Sequence, residues 1–196
     1  ITSDWVRGAL PKRPLDSHKG TFGRVLVVAG SVSYIGAAYL ACQGAARVGA
    51  GLVTLAIPRS LQPILAAKLT EATYLPLPEE EGALSPAASD VILSEASGYQ
   101  ALLVGCGLCQ GPDLALLLRQ TLLTARYPGV PMVLDADALN IMSRTPEWWL
   151  RLRGEAVLTP HPGEMSRLTG KTTGEINTAR LSTARERAVQ WNKTVV

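Results

Sequence analysis

Acidic and amide side chains follow one buried apolar run, where they could do chemistry at the end of a strand. The run at residues 132–134 is followed by Asp135 and Asp137, and Asn140 comes three positions later. Carboxylates placed in this way can hold Mg²⁺, orient a hydroxyl group or act as a base. Asp137 could instead be only the N-cap of a helix. The residue pattern leaves both interpretations open.

A histidine with proline on both sides lies later in the chain, in the run Thr-Pro-His-Pro-Gly-Glu at residues 159–164. The prolines restrict the backbone around His161, and Pro162 suits the first position of a helix with Glu164 in its first turn. A lone histidine is more often structural than catalytic. The rigid setting of His161 leaves a binding role open beside the structural one.

Two turns rich in small residues follow other apolar runs. The first, residues 30–38, has neither the Lys and Ser/Thr of a Walker A loop nor a GxGxxG pattern, so it is either a tight turn or a backbone site for a ligand. The second, residues 105–109, contains Cys106 and Cys109 at CxxC spacing. A zinc site would need two more ligands, and a redox pair usually sits near the start of a smaller fold. We expect no metal site, and glycines beside a ligand.

The elements that must position these residues form an alternating series of short apolar runs and helix-like segments. Such a series indicates a mostly parallel sheet with helices on both faces. The predicted strands are residues 24–29, 52–57, 73–75, 101–105, 131–135, 156–159 and 194–196. The predicted helices are residues 36–48, 60–69, 86–94, 112–126, 162–168 and 178–191, with a surface loop at 76–85. Because ligands bind beyond the carboxyl ends of such strands, the four motifs should share one edge.

The composition limits the classes of protein that remain. A chain of 196 residues with 47% hydrophobic and 18% charged residues fits a single α/β domain over residues 1–196. The net charge of +3 is small and dispersed, which does not indicate a nucleic-acid or membrane surface. Three cysteines are too few for a secreted disulfide framework, so we expect a reducing compartment, the cytoplasm.

Several of these segments together resemble the NAD(P)H-hydrate dehydratase family. They are the run His-Lys-Gly-Thr-Phe-Gly at residues 18–23, the strand at 25–30, and residues 36–38, 49–53, 134–140 and 158–164. They follow the family's order and spacing over essentially the whole chain. The resemblance implies a ribokinase-like α/β fold and the repair of hydrated NADH and NADPH. It also implies that ADP or ATP, with Mg²⁺, phosphorylates the hydroxyl of the hydrated ring, after which phosphate leaves.

The resemblance also implies which residues bind the substrate. The hydrate would be bound near Ala37, by Gly107 and by His161, and Asp135 and Asn140 are further candidates for substrate binding. The family's catalytic aspartate lies in a glycine-rich loop that is expected beyond residue 196. The chain is therefore expected to be incomplete at its carboxyl terminus, and no residue in it is assigned as the base.

The chain departs from the family pattern in the second glycine turn. Cys106 stands where proline is usual, and Cys109 stands where a further glycine is common. Two such substitutions support the interpretation of the CxxC spacing as incidental.

Two other functions compete with the dehydratase. One is a small-molecule kinase of the same superfamily, of the hydroxyethylthiazole kinase type, and the other is a non-catalytic module that binds a dinucleotide. Residues 18–23 and 159–164 favour the dehydratase. We further expect a homo-oligomer. The sequence leaves open whether an epimerase domain precedes Ile1 on the same polypeptide, and whether ADP or ATP is preferred.

Overall fold

The computed structural model describes residues 2–196, and its strands form one large and one small sheet. The strands are β1 Arg24–Val28, β2 Leu52–Pro58, β3 Thr73–Leu77, β4 Glu79–Glu80, β5 Ala83–Leu84, β6 Ala101–Val104, β7 Met132–Leu134, β8 Ala156–Leu158 and β9 Thr194–Val195. Seven of them form a parallel sheet in the order β3-β2-β1-β6-β7-β8-β9. Strands β4 and β5 form a separate antiparallel ribbon.

Helices connect successive strands of the large sheet, and one further helix precedes β1. They are α1 Ser3–Ala9, α2 Ile35–Val48, α3 Gln62–Ala66, α4 Ala88–Ala96, α5 Pro112–Leu122, α6 Asp137–Met142, α7 Trp148–Arg151, α8 Pro162–Thr169, α9 Thr173–Thr178 and α10 Arg180–Trp191. Short 3₁₀ turns occupy Lys19–Phe22 and Arg59–Leu61. Within residues 2–196, no helix combines the length and the apolar character that crossing a membrane requires.

Both faces of the large sheet are buried, as the continuous apolar strands predicted. In and just after β1, Leu26 and Val28 belong to one hydrophobic cluster, while Val27 and Ala29 belong to another. Because successive side chains of a strand point to opposite faces, the two clusters lie on opposite sides of the sheet. Helices α4, α5, α6 and α8 supply the first cluster, and α2 and α3 supply the second. The predicted α/β fold with helices on both faces is confirmed.

The strand register brings the four chemical motifs to one edge. Val28 pairs with Val104, Val104 with Leu134, and Leu134 with Leu158, so β1, β6, β7 and β8 end side by side. The strand order reverses between β1 and β6, because the chain proceeds from β1 towards β3 on one side and from β6 towards β9 on the other. Such a reversal opens a crevice at the carboxyl edge, where sheets of this kind bind ligands.

Several element boundaries differ from the sequence-based prediction. Residues 76–85 are not simply a surface loop, because β3 continues to Leu77 and the ribbon β4–β5 follows. Helix α5 stops at Leu122 instead of residue 126, and the predicted helix at 60–69 is a 3₁₀ turn followed by the short α3. Helices α1, α6, α7 and α9 were not predicted. All four are at most seven residues long, too short to show a clear helical period in the sequence.

The ribbon β4–β5 contacts the turn that follows β1. Its two-residue tip has left-handed backbone at both positions, with φ of 50° at Glu81 and 76° at Gly82. Left-handed pairs of this kind join antiparallel strands that have only two residues between them. The amide of Val32 donates a hydrogen bond to the Gly82 carbonyl at 2.8 Å. The ribbon therefore flanks the crevice.

Candidate active site

The turns after β1 and β6 pack directly against each other. The Gly30 amide donates to the Cys106 carbonyl at 2.9 Å. Gly107 has a φ of 68°, and a Cβ atom placed on it would lie 2.8 Å from the Cβ of Ala37 and 2.7 Å from that of Tyr34. Only glycine satisfies both the backbone and the available space. Ala37 and Gly107, two of the predicted site residues, are thus adjacent across the point where the strand order reverses.

A serine connects the same two turns through its side chain. Ser31 is fully buried, and its hydroxyl donates to the Gly107 carbonyl at 2.8 Å. The same hydroxyl oxygen lies 2.9 Å from the sulfur of Cys109. Cys109 has a φ of 72°, so this cysteine occupies a backbone conformation that favours glycine. Sequence reasoning missed Ser31, whose only signal was its place beside Gly30 at the end of β1.

Asp137 holds the β6–α5 turn from the neighbouring strand. One of its carboxylate oxygens accepts the Cys109 amide at 3.0 Å, and the other accepts the Gln110 side-chain amide at 3.1 Å. Arg144 donates in turn to the side-chain oxygen of Gln110. The N-cap of α6 is Ala136, not Asp137, and no side chain caps this helix. The interpretation of Asp137 as only an N-cap is therefore wrong.

Asp135 connects three of the four turns. Its carboxylate accepts the hydroxyl of Thr159, in the β8–α8 turn, at 2.7 Å, and the thiol of Cys106, in the β6–α5 turn, at 3.5 Å. A Cβ atom on Gly105 would lie only 1.8 Å from the Asp135 carbonyl oxygen, so the backbones also approach closely. Within residues 2–196, no group of three His, Cys, Asp or Glu side chains is placed to hold a metal ion.

Asn140 lies at a contact between helices. It is buried in α6, and its side-chain oxygen accepts a hydrogen bond from Arg167 of α8 at 2.7 Å. The interaction fixes α8 relative to α6, and therefore fixes the turn that carries His161. A role in binding substrate stays a prediction for Asn140, and its observed contact is one that positions α8.

His161 is the N-cap of α8 and takes part in a capping box. Its Nδ1 accepts the Gly163 amide at 3.0 Å and the Glu164 amide at 3.4 Å, while the carboxylate of Glu164 accepts the His161 amide at 2.9 Å. Because Nδ1 accepts, the ring proton is on Nε2, which lies 3.2 Å from the Glu164 carboxylate. The predicted helix with Pro162 at its start and Gly170 as its C-cap is confirmed.

His161 is far more exposed than its partner Glu164. Its side chain is 63% exposed, whereas that of Glu164 is only 5% exposed. The imidazole ring is therefore largely open to solvent, although Nδ1 is occupied and Nε2 lies beside the Glu164 carboxylate. His18 has the same local structure, with Nδ1 accepting the Gly20 amide at 3.1 Å. Both histidines in the sequence are thus helix caps, and only His161 is at the carboxyl edge of the sheet.

The three thiols are free. Burial raises the pKa of Cys42 to about 12, with a further contribution from nearby Cys106. Burial, followed by the charge of Asp135 and a hydrogen bond to it, raises the pKa of Cys106 to about 12. Redox pairs and zinc sites use thiolates, which these environments disfavour. The environment of Cys106 therefore supports the interpretation of the CxxC spacing as incidental to redox or metal chemistry.

A cleft of about 400 Å³ opens beside the β6–α5 turn. The ribbon lines it on one side with Glu80, Glu81 and Leu84, and the β6–α5 turn and the first turn of α5 line it on the other with Cys109 and Asp113. The cleft therefore adjoins the crevice where Gly107 meets Ala37. Two turns that expose backbone at a reversal of strand order, with a cleft next to them, form a site for an extended small molecule.

Comparison with known proteins identifies relatives over the whole chain. A family model described as NAD(P)H-hydrate dehydratase matches residues 25–196. The bifunctional NAD(P)H-hydrate repair enzyme of Moorella thermoacetica is 42% identical over 197 residues, covering 100% of this chain and 37% of that protein. The ADP-dependent (S)-NAD(P)H-hydrate dehydratase of Bacillus subtilis is 37% identical over 195 residues, covering 100% of this chain and 64% of that protein.

Solved structures agree on the fold. The ADP/ATP-dependent NAD(P)H-hydrate dehydratase of Bacillus subtilis, co-crystallised with ATP/Mg²⁺, superposes with a TM-score of 0.77 at 34% identity, over 100% of this chain and 64% of that one. A ribokinase-like superfamily protein of Enterococcus faecalis gives a TM-score of 0.79 at 22% identity, over 100% of this chain and 64% of that one. At that identity the second likeness shows the fold alone, and it is ribokinase-like as predicted.

Proposed function

Because this chain belongs to the NAD(P)H-hydrate dehydratase family, we propose that its carboxyl edge binds hydrated NADH or NADPH, which the whole protein returns to NADH or NADPH with ADP or ATP. The observation that carries the proposal is the contact of Gly107 with Ala37 where the strand order reverses. A dinucleotide needs close backbone approach, and these two residues are small enough to allow it.

The chemistry divides between the nucleotide and this chain. When bound, ADP or ATP supplies the phosphoryl group that converts the ring hydroxyl of the hydrate into a leaving group. The residues of this chain bind and orient the hydrate: the turns after β1 and β6 present backbone groups, and the ribbon β4–β5 limits access of water from one side. Fixing the ring in one orientation lowers the entropic part of the barrier. No residue in the chain is assigned as the base.

The carboxylates at the edge do not form a resident Mg²⁺ site. The oxygens of Asp135 accept hydrogen bonds from Thr159 and Cys106, and those of Asp137 accept from Cys109 and Gln110. Mg²⁺ in phosphoryl-transfer sites is commonly held by the phosphates of the substrate with one or two carboxylates. We propose that Mg²⁺ enters with the nucleotide.

His161, Asp135 and Asn140 have different proposed roles in hydrate binding. The imidazole ring of His161 is largely exposed, and its Nε2–H group can donate to the hydrate in place of the Glu164 carboxylate while Nδ1 keeps its cap. Asp135 contributes indirectly, because its carboxylate accepts a 2.7 Å hydrogen bond from Thr159 and so orients that hydroxyl at the carboxyl edge of the sheet. Asn140 fixes α8 through Arg167. His161→Ala should therefore weaken hydrate binding by several fold, the effect of losing one neutral hydrogen bond of about 0.5–1.5 kcal/mol.

The dehydratase is favoured over a small-molecule kinase of the same superfamily. The family model and both relatives carry hydrate repair or dehydration in their names. We also propose that residues 1–196 belong to one domain, that the protein is a homo-oligomer, and that it is cytoplasmic. The three free thiols support the last point, because disulfides are rare in a reducing compartment. Size-exclusion chromatography with light scattering tests the oligomeric state.

Titration calorimetry with NADH hydrate tests the proposed site. We expect saturable binding by the chain, and a loss of at least about tenfold in affinity for Gly107→Ala, because the new methyl group would occupy the contact with Ala37 and Tyr34. Gly44→Ala, in α2 and away from the two turns, is the matched control, since a Cβ atom there meets nothing within 4 Å. Equal affinity in a folded Gly107→Ala variant would exclude this site, and absence of hydrate binding by the unsubstituted chain would exclude the function.

A further inference from the structure

Cys109 differs from the other two cysteines in its contacts. Cys42 is buried in the hydrophobic cluster on the α2 side of the sheet, and Cys106 faces Asp135. Cys109 instead reaches across to the turn after β1, where its sulfur lies 2.9 Å from the hydroxyl of Ser31. Its thiol is therefore the one that joins the two turns of the proposed hydrate site.

Counting hydrogens fixes the direction of this contact. A serine hydroxyl has one hydrogen, and that of Ser31 is donated to the Gly107 carbonyl, which can only accept. The second interaction of Ser31 must therefore use a lone pair on its oxygen, and the hydrogen must come from the Cys109 thiol. The result is a relay in which Cys109 donates to Ser31 and Ser31 donates to Gly107. We call these three residues the thiol relay.

Cys109 has an unfavourable backbone conformation. Its φ of 72° is in the left-handed region, which disfavours a side chain, and two contacts oppose this cost. The carboxylate of Asp137 accepts the Cys109 amide at 3.0 Å, and the thiol bonds to Ser31. Glycine would adopt this backbone without strain, but it could not donate a hydrogen bond to Ser31.

We propose that Cys109 is a positioning residue for hydrate binding: through the thiol relay it fixes the peptide group of Gly107 against Ala37. This inference rests on the proposed function, because it assigns Gly107 to the hydrate site. Cys109 does not itself touch the hydrate in this account. It acts by donating to the oxygen of the buried Ser31 hydroxyl, whose own hydrogen is donated to the Gly107 carbonyl.

Two substitutions distinguish the contribution of the Cys109 thiol from that of its backbone conformation. Cys109→Ala removes the donor and keeps the Cβ atom, whereas Cys109→Gly removes the donor and relieves the left-handed strain, so it should fold even if the alanine variant does not. Both should weaken binding of NADH hydrate by about two- to tenfold, the range expected for one neutral hydrogen bond. Cys109→Ser supplies a hydroxyl donor and should bind within about twofold of the unsubstituted chain.

A double-mutant cycle identifies the route through Ser31. Once Ser31→Ala has broken the relay, Cys109→Gly should weaken hydrate binding no further, because coupled residues are not additive. Calorimetry with NADH hydrate measures all four proteins. Unchanged affinity in Cys109→Gly, failure of Cys109→Ser to retain binding, or additive losses in the double variant would overturn the positioning role alone. Absence of hydrate binding by the unsubstituted chain would instead overturn the proposed function, and the positioning role with it.

Discussion

In the β8–α8 turn, His161 is held by contacts within three positions, with one longer link from Thr159 to Asp135, whereas the β6–α5 turn is held by side chains up to 78 positions away. In the first, His161 and Glu164 satisfy each other's backbone amides. In the second, Ser31 and Asp137 bind the turn from two neighbouring strand ends. Both turns lie at the same edge of the sheet.

The difference separates two ways of building a ligand site. A capping box forms with its own helix, so the conformation around His161 depends less on the rest of the sheet, to which Thr159 connects the turn through Asp135. The β6–α5 turn has its shape only when β1, β6 and β7 are aligned, because its partners come from the turns that follow β1 and β7. Damage to this turn should therefore affect stability and binding together, and damage to the β8–α8 turn should remain local.

Alanine at one glycine of each turn should give the largest contrast. At Gly105, φ is 132° and a Cβ atom would lie 1.8 Å from the carbonyl oxygen of Asp135, so we expect Gly105→Ala to reduce the free energy of unfolding by about 3 kcal/mol or more. At Gly163, a Cβ atom would meet only the His161 ring, at 2.9 Å, and alanine is a better helix former. Gly163→Ala should change the free energy of unfolding by less than about 1 kcal/mol.

Urea unfolding of the two glycine variants measures this contrast. Equal losses in Gly105→Ala and Gly163→Ala would show that both turns are equally constrained, and would remove the distinction between them. Gly111→Ala, in the same turn as Gly105 but with open space around it, is the control for the effect of alanine itself.

Removing the carboxylate of Asp137 should have the next largest effect. Asp137→Ala leaves the part-buried Cys109 amide without its acceptor, which should reduce the free energy of unfolding by about 1–3 kcal/mol. Asp137→Asn keeps one acceptor oxygen and should lose less. Asp113→Ala, in the first turn of α5, removes a carboxylate with no such partner and controls for charge. In NMR spectra, the amide signals of Cys109 and Gln110 should move in Asp137→Ala. Unmoved signals would contradict the assigned contact.

The equivalent change in the local turn is Glu164→Ala. Loss of the capping box should reduce the free energy of unfolding by about 0.5–2 kcal/mol, because the His161 amide loses its acceptor. Glu164→Gln, which keeps an acceptor oxygen, is the control. The amide signals of Cys109 and Gln110 should stay in place in both variants. If they moved as far as they do in Asp137→Ala, the two turns would be coupled, and the β8–α8 turn would not be the more local of the two.

The last effect concerns the thiol of Cys106; it is absent at neutral pH and appears only at high pH. Its pKa is raised in the fold from 9.0 to about 12, by burial first and then by the charge of Asp135. Unfolding therefore releases a proton above pH 9.0, so the contribution of this thiol to stability is present below pH 9.0 and is lost as the pH rises towards about 12.

Replacement of Cys106 by serine, which does not titrate in this range, tests the thiol. At neutral pH, the free energy of unfolding of Cys106→Ser should stay close to that of the unsubstituted chain. Between pH 9.0 and about 12 it should fall less steeply with pH. Urea unfolding across this range measures both slopes. Burial also raises the pKa values of Cys42 and Tyr127, and both residues are present in both proteins, so they contribute equally to the two slopes. Identical slopes would mean that the surroundings of Cys106 do not hold its proton.

The features that could be predicted from the sequence are those that depend on near neighbours. The strands followed from short apolar runs, and the start of α8 followed from Pro162 and Glu164, because caps use residues three positions apart. One longer-range feature also followed: the turns after β1 and β6 share one edge, since parallel strands place their carboxyl ends together, and the family resemblance indicated Ala37 and Gly107 within those turns.

The features that could not be predicted depend on pairs distant in sequence or on unusual backbone. Nothing local distinguishes Ser31, whose partner Gly107 is 76 positions away. The ribbon was missed because three glutamates suggested a loop, while the left-handed Glu81 and Gly82 permit a tight turn. Asp137 resembled an N-cap, but Ala136 has a φ of 49° and the carboxylate is directed to another turn.

NMR mapping of the bound hydrate locates its binding site on the sheet. On adding NADH hydrate to the chain, we expect the amide signals of residues 30–37 and 105–111 to shift most, with smaller shifts at residues 159–161. The region at the opposite ends of the strands, around Gly154 and Lys193, also has a cleft, of about 790 Å³, and should show no shift. Shifts concentrated at Gly154 and Lys193, with residues 105–111 unmoved, would exclude hydrate binding at the carboxyl edge of the sheet.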